Sequence, residues 1–455
     1  MFDPIDVIKE LVRNASVSTD PAYAQGMQGT REVLERLFAG MGLEVEVVET
    51  PRHPVVLARR TGPEEWPHVV IYGHYDVQPP DPLDLWESPA FEPTLRGTRL
   101  YGRGVADNKG PLMVHVTAVA RLLEENPGLP LRITFLIEGE EEIGSPSLPM
   151  VLESHGDSLK GDFILLSDTL NPTDDQIAIT TGIRGIISFE IRVTGPRGDI
   201  HSGMFGGAIY NPLQALTEIC ASLHHPDGRV NVPGFHDTVI EPEEWEKDEV
   251  AKLPVKDADL QKWTGVPELF MPNKRTAMEA IRYEPTLEIN GIGGGYQGAG
   301  DKTIIPAKAF AKITCRLVAN QDPQDIREKV FAAIRERCPK QVKLEIIPFH
   351  DGSPYSVVPP GKPNTPAGQN PHLARAFKAC DRAVATVFGK PPLYLREGGS
   401  IPIIADLNKA LGMDCIMLGM GTAENNLHAP NESFDLAILE KGIEVSMAIL
   451  RDVAS

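Results

Sequence analysis

The chain has 455 residues, with 63 aspartates and glutamates against 44 lysines and arginines, giving a formal net charge of -19. That length exceeds one ordinary core and predicts two or three domains, while the acidity argues against the basic footprint of a nucleic-acid binder. Five scattered cysteines without a C-x-x-C pair fit a reducing compartment and argue against a thiolate zinc site. Met1-Phe2-Asp3-Pro4 has neither the basic region nor the apolar core of a signal peptide, and no apolar run approaches the ~18 residues of a membrane span. A cytoplasmic protein is expected.

Ile5 to Val12 reads as a helix, and Thr30 as the cap of a second one running to Phe38 before Gly40 and Gly42. Leu43 to Val48 alternates as a strand, and Val55 to Ala58 follows as another. Val69-Val70-Ile71-Tyr72 runs straight into Gly73, as in a strand buried on both faces of a parallel sheet, and delivers His74 and Asp76 at its carboxyl end. A loop rich in proline and acid leads to Gly102-Arg103-Gly104-Val105-Ala106-Asp107-Asn108-Lys109-Gly110 and a helix from Pro111 to Glu125. Leu131 to Ile137 is a strand that ends in Glu138-Gly139-Glu140-Glu141-Glu142, and Phe163 to Leu166 is one that ends in Ser167-Asp168.

From Gly185 the pattern changes to the alternation of an antiparallel sheet with one solvated face. Gly195 to Gly203 holds His201, and Asn211-Pro212 starts a helix to Leu223. The stretch from His224 to Tyr283 gives no clear pattern, and Ile289 to Gly300 reads as a Gly-rich loop. Strands are expected over Ala309–Val318 and Val342–Ile347, with a helix from Pro323 to Arg337 between them. Val357 to Gln369 has the composition of a linker. A helix from Pro371 to Phe388, the run Arg396-Glu397-Gly398-Gly399-Ser400, a strand to Leu418, His428 and a last helix from Phe434 complete the chain. The fold class expected is an α/β domain interrupted by an α+β insert, divided as 1–184, 185–368 and 369–455.

His74, Asp76, Asp107, Glu141, Glu142, Asp168 and His428 all stand at or just beyond strand ends. Two imidazoles and several carboxylates without cysteine form a ligand set for hard-to-borderline divalent metals. One tetrahedral ion cannot use so many carboxylates; two ions about 3.5–4 Å apart, sharing a carboxylate and a water, could use most of them. Adjacent glutamates in extended chain point opposite ways, so Glu141 and Glu142 suit a base and a ligand.

Taken in order, His74-x-Asp76, Gly102-Arg103-Gly104-x-x-Asp107-Asn108-Lys109-Gly110, Glu138-Gly139-x-Glu141-Glu142-x-Gly144-Ser145, Ser167-Asp168, His201-Ser202-Gly203, Arg396-Glu397-Gly398-Gly399-Ser400 and His428 resemble the carnosinase-type di-zinc dipeptidases. These are related to the glutamate carboxypeptidase and acetylornithine deacetylase enzymes. The resemblance spans essentially the whole chain. It implies a zinc-exopeptidase-like catalytic domain holding two zinc ions per chain (manganese or cobalt substituting), and an inserted lid domain through which a homodimer forms. It implies hydrolysis of dipeptides or very short peptides by a water bridging the two ions. By position, Asp107 corresponds to the bridging carboxylate, His74 and Asp168 to ligands of one zinc, and Glu142 and His428 to ligands of the other. Asp76 corresponds to the partner of His74, Glu141 to the general base, and His201 to a histidine that stabilises the oxyanion from across the dimer. Thr303, Arg316 and His350 correspond to residues gripping the substrate's C-terminal carboxylate, and Ser400 to a peptide contact.

Asn108 stands where many relatives carry a second aspartate, and Asp168 where the carboxypeptidase branch tends to carry glutamate, which favours the dipeptidase branch. Two other readings are an N-acyl-amino-acid deacylase using the same metals and a non-catalytic binding protein. The intact pair Glu141-Glu142 argues against the second. His53, His68, His115, His155, His224, His225, His236 and His372 join no constellation.

Overall fold

A computed structural model describes residues 2–455. The fully buried strand His68–His74 lies near the centre of a nine-stranded mixed sheet. It pairs in parallel with Arg132–Glu138 on one side and Phe163–Leu166 on the other, and Cys415–Leu418 continues the parallel run. Val55–Arg60 and Glu44–Val48 close one edge in antiparallel fashion. At the other edge Ala178–Ile183 turns antiparallel to Cys415–Leu418 and carries Leu393–Glu397 and Tyr355–Ser356. Helices Gly110–Glu125, Pro371–Phe388 and Leu436–Val453 pack against one another over the sheet, because each presents an apolar stripe at helical spacing.

A second sheet is built from Thr286–Gly294, Lys308–Leu317, Gly185–Thr194 and Lys343–Gly352, all antiparallel and in that spatial order. Lys308–Leu317 alternates strictly: Ala309, Ala311, Ile313, Cys315 and Leu317 are buried. They face helices Pro212–Ser222 and Pro323–Arg337 in a core of their own. The chain leaves the first sheet at Ile183, enters the second at Gly185, and rejoins the first at Tyr355.

Three expectations are corrected. Thr30 is no cap: the helix spans Ala24–Gly40, and the buried Thr30 hydroxyl donates to the Gly26 carbonyl at 2.9 Å. Ile289 to Gly294 is no loop but part of the edge strand Thr286–Gly294. A Cβ at Gly293 would come within 2.6 Å of the Phe310 ring, so its glycine lets the neighbouring strand's aromatic lie flat on it. Glu141 and Glu142 are not in extended chain but in a 3-10 turn, Glu141–Ile143. The unassigned stretch contains helices Glu244–Ala251, Asp257–Thr264 and Ala277–Tyr283, and Val250, Leu253, Met278 and Tyr283 pack on Leu393 and Leu395 of the first sheet.

Candidate metal centre and active site

Four parallel strands aim their carboxyl ends the same way, and the polar residues follow from that. His74 ends the central strand, Glu141 and Glu142 follow its neighbour Arg132–Glu138, Asp168 follows Phe163–Leu166, and His428 follows Cys415–Leu418 after a loop. Asp107 arrives from the turn Val105–Lys109 that precedes helix Gly110–Glu125. Gly104 opens this turn at φ 87°, a left-handed conformation, and a Cβ there would strike Val77.

Asp107 stands between the two histidines. Its Oδ1 lies 3.1 Å from His74 Nε2, and its Oδ2 lies 3.0 Å from His428 Nε2. Asp168 joins the first group at 3.9 Å from His74 Nε2, and Glu142 the second at 3.3 Å from His428 Nε2. His74, Asp107 and Asp168 thus form one set of converging ligand atoms, and Asp107, Glu142 and His428 another, each within 4.8 Å. Glu141 belongs to neither set. It lines the cavity of about 280 Å³ that Asp107, Asp168 and His428 also border.

The surroundings hold these groups in place. Buried Asp76 lies 3.3 Å from His74 Nδ1, and its two oxygens accept the backbone N–H groups of Glu141 and Glu142 at 3.2 and 3.1 Å. One carboxylate therefore orients the imidazole and fixes the turn carrying both glutamates. Asn108 donates to Asp168 Oδ1 at 2.9 Å, and Gln78 donates to Glu142 Oε2 at 2.9 Å. Buried Glu432 accepts from the backbone N–H groups of Gly104, Ala106 and Asp107 at 2.8, 2.8 and 3.1 Å, and from Arg103 at 2.7 Å. Sequence reasoning missed Gln78 and Glu432: neither sits at a strand end, and a lone glutamate between Asn431 and Ser433 carries no signal.

The electrostatics follow from burying this much negative charge. Burial, with Asp168, Glu142 and Asp107 alongside, keeps the Glu141 carboxyl well above the usual range despite His74. Burial also opposes ionisation of Asp107, yet the imidazoles of His428 and His74 hold its carboxyl far below that range. Hydrogen bonds to Asp107 and Glu142 push His428 up to about 10. Imidazole nitrogens and carboxylate oxygens in excess of any local positive charge, with no thiolate, are a donor set that fits divalent cations.

The other expected residues fall into two groups. Arg316 Nη1 donates to Ser400 Oγ at 2.7 Å, joining the second sheet to the wall of the cavity. His350 lies one strand away, Arg316 being paired with Ile186 and His350 with Ser188 on Gly185–Thr194. His201 and Thr303 share a separate ribbon: His201 pairs with Ile304, and the Thr303 carbonyl accepts the Ser202 N–H at 3.0 Å. Both are exposed. None of His201, Thr303 and His350 lines the cavity of their own chain.

The profile of the peptidase family M20/M25/M40 matches residues 70–452. The chain belongs to this family. It is 32% identical over 418 residues to the Cys-Gly metallodipeptidase dug1 of Schizosaccharomyces pombe, covering 90% of this chain and 84% of that one. It is 30% identical over 473 residues to the Beta-Ala-His dipeptidase of Homo sapiens, covering 99% and 90%. The solved structure of an M20 family metallo-carboxypeptidase, Sso-CP2 from Sulfolobus solfataricus, superposes with a TM-score of 0.87 at 29% identity over 100% of both chains. The protein is accordingly a metallopeptidase of the M20 family, with an α/β catalytic domain and an inserted α+β lid domain, and membership implies that it binds divalent metal. Among the described residues no helix is long and apolar enough to cross a membrane.

Proposed function

We propose that the protein hydrolyses dipeptides, or very short peptides with a free C-terminal carboxylate, in the cytoplasm. It acts as a homodimer joined through residues 185–368, with residues 1–184 and 369–455 forming the catalytic domain. The observation that carries this reading is Asp107, whose two oxygens face two separate histidine–carboxylate groups at the wall of one cavity. The dipeptidase names of the relatives support the substrate class.

Asp107 would be shared by two zinc ions, with His74 and Asp168 completing one position and Glu142 and His428 the other; manganese or cobalt would also suit these donors. A cation pair of this kind lowers the pKa of water and polarises a carbonyl. Glu141, outside both ligand sets, takes the proton of the attacking water and returns it to the leaving amine nitrogen. Asp76 keeps that base and His74 in fixed relation. Arg316, with His350, Thr303 and Ser400, takes the C-terminal carboxylate, Arg316 in bidentate fashion. The partner's His201 donates to the developing oxyanion, which agrees with its exposure and with its not lining the cavity of its own chain.

The test is a panel of a free dipeptide, its C-terminal amide, a long peptide and an N-acetyl amino acid, each with zinc and with manganese. The free dipeptide should be turned over fastest, and amidation should remove most of the turnover. Preferred cleavage of the N-acetyl amino acid would make the chain a deacylase, and equal cleavage of the amide would refute the carboxylate grip.

The partner's role has its own test. A His201→Ala chain keeps a sound metal site, whereas a Glu141→Gln chain keeps the histidine, and each homodimer should be nearly inactive. After subunit exchange, verified with differently tagged chains, a heterodimer with donation between subunits regains one working site. No recovery despite verified exchange would place His201 in its own chain's site.

A further inference from the structure

The chain crosses from the first sheet to the second at a single residue. Strand Ala178–Ile183 ends just before Arg184, and Gly185–Thr194 starts immediately after it. Backbone and side chain of Arg184 hold the same loop. Its backbone N–H donates to the Gly399 carbonyl at 3.0 Å, and its Nε donates to the Gly398 carbonyl at 2.8 Å. Its Nη1 donates to the Glu284 carbonyl at 3.3 Å, at the end of helix Ala277–Tyr283 and two residues before the edge strand Thr286–Gly294. Gly398 permits this approach: a Cβ there would lie 2.9 Å from the Ile281 carbonyl oxygen and 3.3 Å from Arg184 Nη2.

The loop so held carries Ser400 to the wall of the cavity. The Ser400 hydroxyl donates to the Gly185 carbonyl at 3.4 Å and accepts from Arg316 Nη1 at 2.7 Å. Arg316 is flanked across its own sheet by Thr286 and Ile186. Ser400 follows strand Leu393–Glu397 of the first sheet, whereas Arg316 lies in Lys308–Leu317 of the second. Arg184 bonds to the chain on both sides of their meeting point, at Gly398 and Gly399 beside Ser400 and at Glu284 beside Thr286. Burial and the nearby Arg316 lower Arg184 to about 10, with Glu288 and Glu397 acting the other way, so it is charged at neutral pH. A guanidinium offers its donors in a rigid planar fork, so one side chain sets the spacing of the two segments it bonds.

We infer that Arg184 is a positioning residue for the substrate's C-terminal carboxylate, holding Ser400 and Arg316 at the separation that lets both meet it. The inference rests on the carboxylate grip proposed above. Arg184 acts through those two side chains and not on the scissile bond.

The test measures kcat and KM for Ala-Leu and for its C-terminal amide in the wild-type holoenzyme, Arg184→Gln and Arg184→Lys. In Arg184→Gln the KM for Ala-Leu should rise about tenfold with kcat within a few-fold, the pattern of lost uniform binding. The amide has no carboxylate to grip, so its kcat/KM should change little. Lysine keeps the charge but offers a point donor in place of the fork, so Arg184→Lys should resemble Arg184→Gln. Arg184→Gln and Ser400→Ala should combine to less than the product of their separate effects, as for residues that act through one another. Gly398→Ala displaces the same loop without replacing Arg184, and it should raise the KM for Ala-Leu even if Arg184→Gln does not fold. An equal loss on dipeptide and amide, or a fall in kcat at unchanged KM, would make Arg184 merely structural and overturn the inference. A wild-type KM in Arg184→Lys or in Gly398→Ala would overturn it as well. Equal cleavage of Ala-Leu and its amide by the wild type would end the carboxylate grip itself. A preference for the free dipeptide that Arg184→Gln retains in full would overturn this inference alone.

Discussion

Asp107→Ala is expected to empty both metal positions at once and to abolish turnover. Its two oxygens are 3.1 Å from His74 Nε2 and 3.0 Å from His428 Nε2, so no other single side chain belongs to both ligand sets. Losing an outer-shell contact alone costs about 10–100-fold in metal affinity, and a shared ligand should cost more at each position. With two cations bound, the variant would also leave them facing one another without the carboxylate between them. Elemental analysis after exhaustive dialysis is the direct measurement, with Asp168→Ala as the comparison that weakens one position only. A second readout is thermal: a bound ion stabilises the folded state by mass action, so added zinc should raise the Tm of the wild type and leave that of Asp107→Ala unmoved. Two ions retained per Asp107→Ala chain would refute the bridging role.

Glu141→Gln should separate chemistry from metal binding. Glu141 belongs to neither ligand set, and its contact with Asp76 runs through its backbone N–H, which glutamine keeps. Metal content and Tm should therefore match the wild type. Loss of a positioned general base costs about 10²–10⁴-fold, and kcat should fall by at least that much. The amide accepts and donates hydrogen bonds but cannot take the water's proton. Turnover within a few-fold of wild type would remove Glu141 from the mechanism.

Most of this site was legible because its members stand where periodicity says strands end. The run Val69–Tyr72 into Gly73 announced a central buried strand, and the apolar runs before Glu138 and Asp168 announced its two neighbours. Parallel pairing of those three then brings their carboxyl ends together without further information. What was not legible depends on contacts that no local pattern encodes. The roles of Gln78 and Glu432 exist only once loops far apart in sequence meet. The edge strand Thr286–Gly294 was hidden because its glycines read as a turn, whereas Gly293 makes room for the Phe310 ring on the next strand. The short helices between Glu244 and Tyr283 are polar on most faces, and they take their apolar contacts from Leu393 and Leu395, over a hundred residues later. The separation of Glu141 from Glu142 was expected for the wrong geometric reason: a turn pinned by Asp76 divides them, not the pleat of a strand.

The clamp of Glu432 on the turn Val105–Lys109 has a consequence for how the protein comes into being. His74, Asp107 and Asp168 come early in the sequence, whereas His428 and Glu432 follow long after them. Until Glu432 arrives, the amides of Gly104, Ala106 and Asp107 lack their acceptor and Arg103 lacks its counter-charge. The turn bearing Asp107 therefore gains its shape only once Glu432 has docked on it. The candidate metal site is thus a late product of folding, formed only after residues far apart in the sequence have met.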